Sequence, residues 1–596
     1  MISRRQVVAG GLAAGLVGGT DGLAWAQSGA PDIILHNGRI TTQAGPEVSA
    51  IAVAGGLVQA VGHDRTILAR ATGATRVLDL KRARVIPGLN DSHLHLSRQA
   101  RFHNLELRWE KVTSIDEGLR MIAEQAKRTP PGQWVRVVGG WSRDQMAEKR
   151  GPTVAELDAA APNTPVLVMY LYSEAVLNSA GAKAMGIGAS TPLPAPGKGM
   201  RYDVQPSGGV VMRAEPYPQL LYKAIADMPG LSGADQANSA LHWYRELNGL
   251  GLTSAVDAGG GGHSWPGDYA ASDALARSGD LPIRIGNYLF PQKAGAELAE
   301  FRGWTERERL AVNRATDLLE GFTIEGAGEN LLAAAGDYEN FLSARPELSP
   351  DMERGLTEVV TVLAKAQWPI RIHATYDQSI TRFLNVFERV FKDTGYRARW
   401  AFDHAESISP ANIARVRALG GGIAVQARLA YAGDVYGQRY GRDAASLAPP
   451  LRQILSARIP VGGGSDGTRV AGYNPWVALR WMTAGLTVGG ETVRKPGERL
   501  TRAEALNAYT LGSAWFSGDE RVKGRLAPGQ YADLAVLSDD YFRVEDRALS
   551  TIVSTLTLTG GHIVHGAGDF AGLAPELPAV SPSWSPVAAS SIGGSR

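Results

Sequence analysis

Short apolar runs, bounded by glycine, proline and polar turns, set the rhythm of this chain. Near one end, "DIILHNGRITT", "VSAIAVAGGLVQAVG" and "TRVLDLKRARVIPGLNDSHLHL" are β-rich runs separated by turns. The same pattern returns near the other end in "GRLAPGQYADLAVLSDD" and "TIVSTLTLTGGHIVHG". From about Ile115 to Leu511 the pattern changes, and strand-like runs alternate with helical stretches. The runs are "WVRVVGGW", "TPVLVMYLY", "GLTSAVDAGG", "LPIRIGNYLF", "EGFTIEGAG", "WPIRIHATY", "RWAFDHAES", "GGGIAVQ" and "IPVGGGSDG", and many end in Gly, His or Asp. Strands alternating with helices predict parallel β/α units. Polar residues at the carboxyl ends of strands are where a (β/α)8 barrel builds its site.

This pattern divides the chain into a leader at 1–26, a first part of a small β domain at 32–86, and a barrel with insertions at 87–515. A second part of the β domain follows at 516–568, then a Pro/Ser/Ala-rich tail at 569–596, disordered or wrapped on the surface. The leader, "MISRRQVVAGGLAAGLVGGTDGLAWAQS", places the pair Arg4-Arg5 before a mildly apolar run from Val7 to Gly19. Ala24-Trp25-Ala26 then offers a cleavage site. These features in this order predict export to the periplasm by the twin-arginine route, although Val7-Val8 stands where Phe-Leu is usual. No other stretch reaches roughly 18 uninterrupted apolar residues, so no stable membrane anchor is expected.

Composition narrows the chemistry. The 596 residues carry a net charge of +2, with Lys and Arg scattered, so nothing points to nucleic acid. The expected partner is a small-molecule substrate, and a homo-oligomer is left open. There is no cysteine, which excludes disulfides, thiolate ligands and a Cys nucleophile. A transition-metal site must therefore use His and carboxylates.

Of the eleven histidines, four fall in or beside the predicted barrel strands: His93, His95, His373 and His404. His93 and His95 are two apart, so on a strand they share a face. That spacing suits two imidazoles converging on one cation, and equally a surface pair on an edge strand. Asp91 has the same parity and is a candidate acceptor for orienting a ligand imidazole. His103 and His263 follow motif segments and are candidates for lining a pocket. His36, His63, His562 and His565 fall in the small β domain and are read as structural or surface residues. Asp466 ends a glycine-rich strand, where the backbone permits close approach of a ligand. Tyr172, Trp141, Tyr376 and Gln426 are candidate substrate-binding residues.

Seven segments in order resemble the amidohydrolase superfamily of metal-dependent hydrolases: "VIPGLNDSHLHL", "GLTSAVDAGG", "HATYD", "FDHAE", "GGGSDG", "LTRAEALNAYTLGSAW" and "GRLAPGQYADLAVL". Within it, the chain is most similar to the branch that includes N-substituted formamide deformylase. The resemblance implies a distorted (β/α)8 TIM barrel with a small β-sandwich built from both chain ends. It also implies metal-ligating histidines ending strands five and six, matched by His373 and His404. Asp466 matches the strand-eight Asp that contacts the metal and shuttles a proton. The cofactor implied is one or two divalent ions, zinc being the expected metal.

Two departures stand out. Many relatives carry a carboxylated lysine on strand four, but no lysine occurs between Lys293 and Lys365. Glu325 is the candidate replacement, bridging two ions or completing one, with Glu320 and Glu329 behind it. Relatives also often show Asp-Gly-His before Asn-Ser, where this chain has Leu171, Tyr172 and Ser173 before Asn178-Ser179.

The activity implied is hydrolysis of a non-peptide, amide-type C–N bond by metal-activated water. Asp466 acts as general base then acid, and His404 or His373 helps to polarise the carbonyl. Esterase, lactonase or deaminase chemistry on the same scaffold, or a non-catalytic periplasmic binding protein, are the competing readings.

Overall fold

Eight parallel strands close around one core: β1 (Leu89–Leu94), β2 (Leu252–Asp257), β3 (Arg284–Leu289), β4 (Phe322–Ala327), β5 (Ile370–Ala374), β6 (Trp400–His404), β7 (Gly422–Gln426) and β8 (Val461–Gly464). The structure is a computed structural model. It describes residues 29–588 except 192–198, 216–224, 227, 312–320, 339–340 and 342–344. The expected twin-arginine leader lies outside the described residues.

Each barrel strand pairs in parallel with the next. The circuit closes between β8 and β1, where Asp466 N donates to His93 O at 3.0 Å and Ser465 N donates to the Asp91 carboxylate at 3.0 Å. Glycine makes this closure possible. A Cβ on Gly464 would stand 2.9 Å from both Asp91 Oδ1 and His93 N. The wall is distorted at β4, which meets β5 only at Ala327 and Ile370 among the described residues.

Apart from half-buried Phe322 and Ile324 of β4, the strands are buried along their length because helices cover the outer face and side chains fill the inner one. Helix Asp377–Thr394 shows how a connection is built. Ile380, Phe383, Leu384, Phe387, Val390 and Phe391 recur at helical spacing and are all buried. Gly395, at φ +65°, ends the helix in the left-handed conformation that glycine tolerates.

Two further sheets form the small β domain, the second of them joining strands from both chain ends. Residues 33–36, 50–54, 57–62 and 76–79 form one; residues 39–40, 84–87, 534–537, 554–559 and 562–566 form the other. Leu35, Val53 and Val58 from the first share a core with Val85, Val536 and Leu556 from the second. This is a sandwich in the sense of two packed sheets.

A third sheet corrects the sequence reading. The runs "WVRVVGGW" and "TPVLVMYLY", read alongside the barrel strands, belong instead to a five-stranded insertion between β1 and β2. Val135–Val137 and Val166–Tyr170 pair in parallel across helix Val154–Ala160, so the insertion reproduces the strand–helix–strand pattern of the barrel.

Of the two readings of the tail, the described part takes the wrapped one. His242 Nε2 lies 3.0 Å from Pro578 O, Asn238 Nδ2 donates to Ala579 O at 2.9 Å, and Gln125 Nε2 to Trp584 O at 2.7 Å. The strap thus crosses helices Gly233–Gly249 and Ile115–Arg128. No helix among the described residues is long and apolar enough to cross a membrane.

Candidate active site

The carboxyl ends of β1, β5, β6 and β8 bring together His93, His95, His373, His404 and Asp466. A sixth residue, Glu329, joins them from the turn after β4. Three overlapping triads have donor atoms within 4.8 Å of one another: His93, His95 and Glu329; His93, His404 and Asp466; and Glu329, His373 and His404. All six residues are buried.

The ring orientations follow from what the outer nitrogens bond. His93 Nδ1 lies 3.0 Å from Asp403 Oδ1, and Asp403 also accepts from Arg371 Nε at 3.2 Å. His95 Nδ1 lies 2.8 Å from Gly259 O. Both rings therefore turn Nε2 toward the cluster. Asp91, expected to orient a ligand imidazole, instead accepts the backbone N–H groups of His93 and Ser465. Asp91 thus helps to close the barrel, and Asp403 is the carboxylate that orients the His93 ring.

Two carboxylates sit among the imidazoles. Asp466 Oδ1 is 3.6 Å from His93 Nε2 and 3.2 Å from His95 Nε2, and its Oδ2 faces His404 Nδ1 at 3.9 Å. Glu329 Oε1 is 3.5 Å from His95 Nε2, while Oε2 is 3.0 Å from His373 Nδ1 and 3.2 Å from His404 Nε2. Oε2 also stands 3.7 Å from His93 Nε2, so this one oxygen is shared by His93, His373 and His404 while Oε1 faces His95. His404 and Asp466 hold left-handed backbones, at φ +81° and +58°. Such strain persists where the surroundings over-determine it, and it gathers at functional sites.

The cluster fits a divalent cation. Buried His93 Nε2 and His404 Nδ1 have no hydrogen-bond partner among the described residues, and an orphaned buried polar atom is costly. Burial alone would neutralise Asp466 and Glu329, yet the surrounding imidazoles hold both carboxyls well below the usual range. Burial likewise opposes charge on His93, but Asp403 and Glu329 carry its pKa up to about 10. The centre therefore attracts positive charge. Imidazole and carboxylate donors without thiolate suit zinc and its neighbours in the first transition row.

Glu325 is not part of this cluster. It lies two residues before the end of β4, accepts from Thr323 Oγ1 at 2.6 Å and crosses Gly286 of β3. Glu329 occupies the position expected of it, because the chain turns at Gly328 (φ +137°) and re-enters between β2 and β5. Glu329 N donates to Ala258 O, and His373 N donates to Glu329 O, each at 3.1 Å. Glu320 lies outside the described residues.

A cavity of about 850 Å³ opens in front of the cluster. His95, His373, Glu329 and Asp466 line it, together with Tyr172, Tyr338, Phe290, Val470 and Arg428. Of the four expected substrate-binding residues, only Tyr172 lines this cavity. Trp141 is packed between Trp109 and Tyr170 and donates Nε1 to Met169 O. Tyr376 is turned to Tyr440, with their hydroxyls 3.1 Å apart. Gln426 is buried off the cavity wall at the end of β7. His103 and His263 do not line it either: His103 Nε2 lies 3.4 Å from Glu246, and His263 packs on Tyr269.

The sequence reading also missed Arg428, Asp403 and Tyr338. Arg428 follows β7, donates Nε to Glu406 Oε1 at 2.9 Å and lies 3.7 Å from Asp466 Oδ2. Asp403 stood inside the quoted "FDHAE", where its parity opposite His404 concealed its partnership with Arg371 and His93. Tyr338, whose ring lies 4.7 Å from that of His373, carried no motif.

The amidohydrolase family profile matches residues 76–565. Over 504 residues the chain is 26% identical to the N-substituted formamide deformylase of Arthrobacter pascens, spanning 82% of this chain and 90% of that protein. The fold is similar to an uncharacterized metal-dependent hydrolase from Pyrococcus horikoshii, with TM-score 0.61 and 21% identity over 86% of this chain and 99% of that one. A counterpart from Pyrococcus furiosus gives TM-score 0.61 and 22% identity, covering 86% and 100%. A family match over most of the length, on a barrel that gathers this donor set, identifies the protein: the chain belongs to the amidohydrolase family of metal-dependent hydrolases.

Proposed function

We propose that the protein hydrolyses an amide-type C–N bond of a small molecule, with a divalent metal, zinc being the expected one, held by His93, His95, His373, His404, Asp466 and Glu329. The observation that carries this is the buried cluster of four imidazoles and two carboxylates at the floor of an open cavity. When bound, such an ion supplies Lewis acidity to water and to the scissile carbonyl. Asp466 takes the proton from water and hands it to the leaving nitrogen. Its Oδ2, facing His404 and Arg428, is the oxygen suited to that transfer, since Oδ1 faces His93 and His95. His373 lines the cavity and is suited to hydrogen-bonding the carbonyl oxygen. His404 does not line it and is read as a ligand. Glu329, which reaches His95 through Oε1 and His93, His373 and His404 through Oε2, would be the shared carboxylate if two ions bind.

Amides are favoured over other substrates by the formamide deformylase named among the relatives. The test is Asp466→Asn together with chelation, assayed by amine release from an amide panel. Turnover is expected to fall by about 10²–10⁴-fold in the variant. Near-normal turnover, or purified metal-free protein indifferent to chelators, overturns the reading. Acid release from esters or ammonia release from ring amines would redirect it to the esterase or deaminase readings. Export is part of the same proposal: Arg4→Lys with Arg5→Lys should abolish periplasmic recovery if the twin-arginine route is used.

A further inference from the structure

The insertion sheet reaches the cavity through one hairpin. Its strands Val166–Tyr170 and Glu174–Leu177 are joined by Leu171, Tyr172 and Ser173, and Ser173 N donates to Tyr170 O at 3.1 Å. Both central residues adopt the left-handed conformation, Leu171 at φ +48° and Tyr172 at φ +56°. Hairpin turns of this hand are normally built from Asn-Gly, because a large side chain with a Cβ is disfavoured there. Strain of this kind is kept where something else requires it.

The surroundings of Tyr172 indicate the requirement. Tyr172 is 8% exposed and lines the cavity. Arg98, buried on the helix that follows His95, donates Nη2 to the Tyr172 hydroxyl at 3.1 Å. Val470, four residues beyond Asp466, packs against the same apolar cluster as Tyr172 and also lines the cavity. A Cβ on Gly260 would meet Arg98 Nη1 at 2.8 Å and His95 Nδ1 at 3.0 Å, so the wall that Arg98 supports stands beside His95, whose Nε2 is 3.2 Å from Asp466 Oδ1. Phe290 and Tyr338 add aromatic surface to the same space.

We propose that the Leu171–Tyr172 hairpin tip is the specificity element of this active site, with the Tyr172 ring packing against a ring-bearing substituent on the amide nitrogen. The proposal rests on the amide-hydrolase reading above. Arg98 acts through Tyr172, fixing the height of the ring against the wall, and is a positioning residue.

The test compares N-methylformamide with N-benzylformamide on wild type, Tyr172→Phe and Tyr172→Gly. Dissociation constants come from calorimetry, and kcat/KM from amine release. Glycine relieves the left-handed strain but removes a buried ring and the partner of Arg98, so Tyr172→Gly should fold with a lowered but cooperative thermal transition. The benzyl-over-methyl preference is expected to fall about tenfold in Tyr172→Gly, in Kd as in kcat/KM, through loss of an aromatic contact and its buried area. Tyr172→Phe, which keeps the ring, should retain most of it. A folded Tyr172→Gly protein with the wild-type preference overturns the proposal, as does a wild type that binds neither amide. A wild type that binds N-benzylformamide but releases no amine overturns the amide-hydrolase reading instead, and the preference is then read in Kd alone.

Discussion

Asp403→Asn separates the two tasks performed by one buried carboxylate. Asp403 is fully buried, accepts from both Nε and Nη2 of Arg371, and lies 3.0 Å from His93 Nδ1. Burial would push its carboxyl up, but Arg371 and His93 hold it below the usual range. Asparagine removes the charge and leaves the guanidinium of Arg371, 1% exposed, in the core without its counter-ion. Breaking one side of such a pair costs about 3–5 kcal/mol. With an unfolding entropy of about 2 cal/mol/K per residue over 596 residues, that corresponds to a fall in Tm of about 3 °C. The second consequence is local. His93 loses the acceptor that orients its ring, and metal affinity should drop about 10–100-fold. Scanning calorimetry reads the first effect, and competition against a chromophoric chelator reads the second. The double variant Asp403→Leu/Arg371→Met replaces the pair by apolar volume. It should recover stability but not metal affinity. A double variant with wild-type affinity, or an Asp403→Asn protein unchanged on both measures, would refute the assignment of Asp403 to both tasks.

Three further outcomes are expected. Glu329→Gln should lower metal occupancy on elemental analysis, while Glu325→Gln should retain it; the reverse pattern would return the bridging role to Glu325. His103 is buried, and burial, only partly opposed by Glu246, lowers its pKa to about 4. Between pH 6.5 and 4 the unfolded chain binds a proton that folded His103 refuses. Its stabilising contribution is therefore complete above pH 6.5 and lost as pH falls toward 4, by about 3 kcal/mol in all. His103→Asn should flatten the dependence of Tm on pH in that window, and an unchanged slope would exclude His103 as its source. Ending the chain after Leu573 removes the strap that accepts from Asn238, Gln125 and Arg128. Tm should fall by about 2 °C with kcat retained, each lost bond contributing about 0.5–1.5 kcal/mol before the entropy of the released chain offsets part of it.

Much of the barrel could be read in the sequence because a buried parallel strand and its covering helix each leave a simple pattern. Apolar runs such as "WPIRIHATY" and "IPVGGGSDG" end at the point where the structure turns toward the cavity. The same pattern misled at "WVRVVGGW" and "TPVLVMYLY". A parallel pair crossed by a helix has one local signature whether it joins the barrel or a separate sheet. Only the strand neighbours distinguish the two, and pairing partners are not written in the local run.

The misassigned carboxylate has a more specific cause. Glu325 stands within β4, where the missing lysine would be expected, but there it accepts from Thr323 Oγ1 and crosses Gly286. The carboxylates of the cluster, however, lie beyond the strand ends, where period two no longer applies and the turn decides. In "GAGE" two glycines precede Glu329, and both are sterically obligatory: a Cβ on Gly326 would lie 2.2 Å from Pro369 O, and one on Gly328 would lie 2.4 Å from Arg371 O. The chain is pressed against the neighbouring strand at both positions, and the next side chain is carried over the barrel mouth. His404 and Asp466 reach the centre by comparable means, through left-handed residues at the ends of β6 and β8. His93, His373 and His404 thus stand within their strands, while both carboxylates, Glu329 and Asp466, come from irregular residues just past β4 and β8. A carboxylate directly after a glycine-marked strand end is therefore a stronger candidate for this site than one inside the strand.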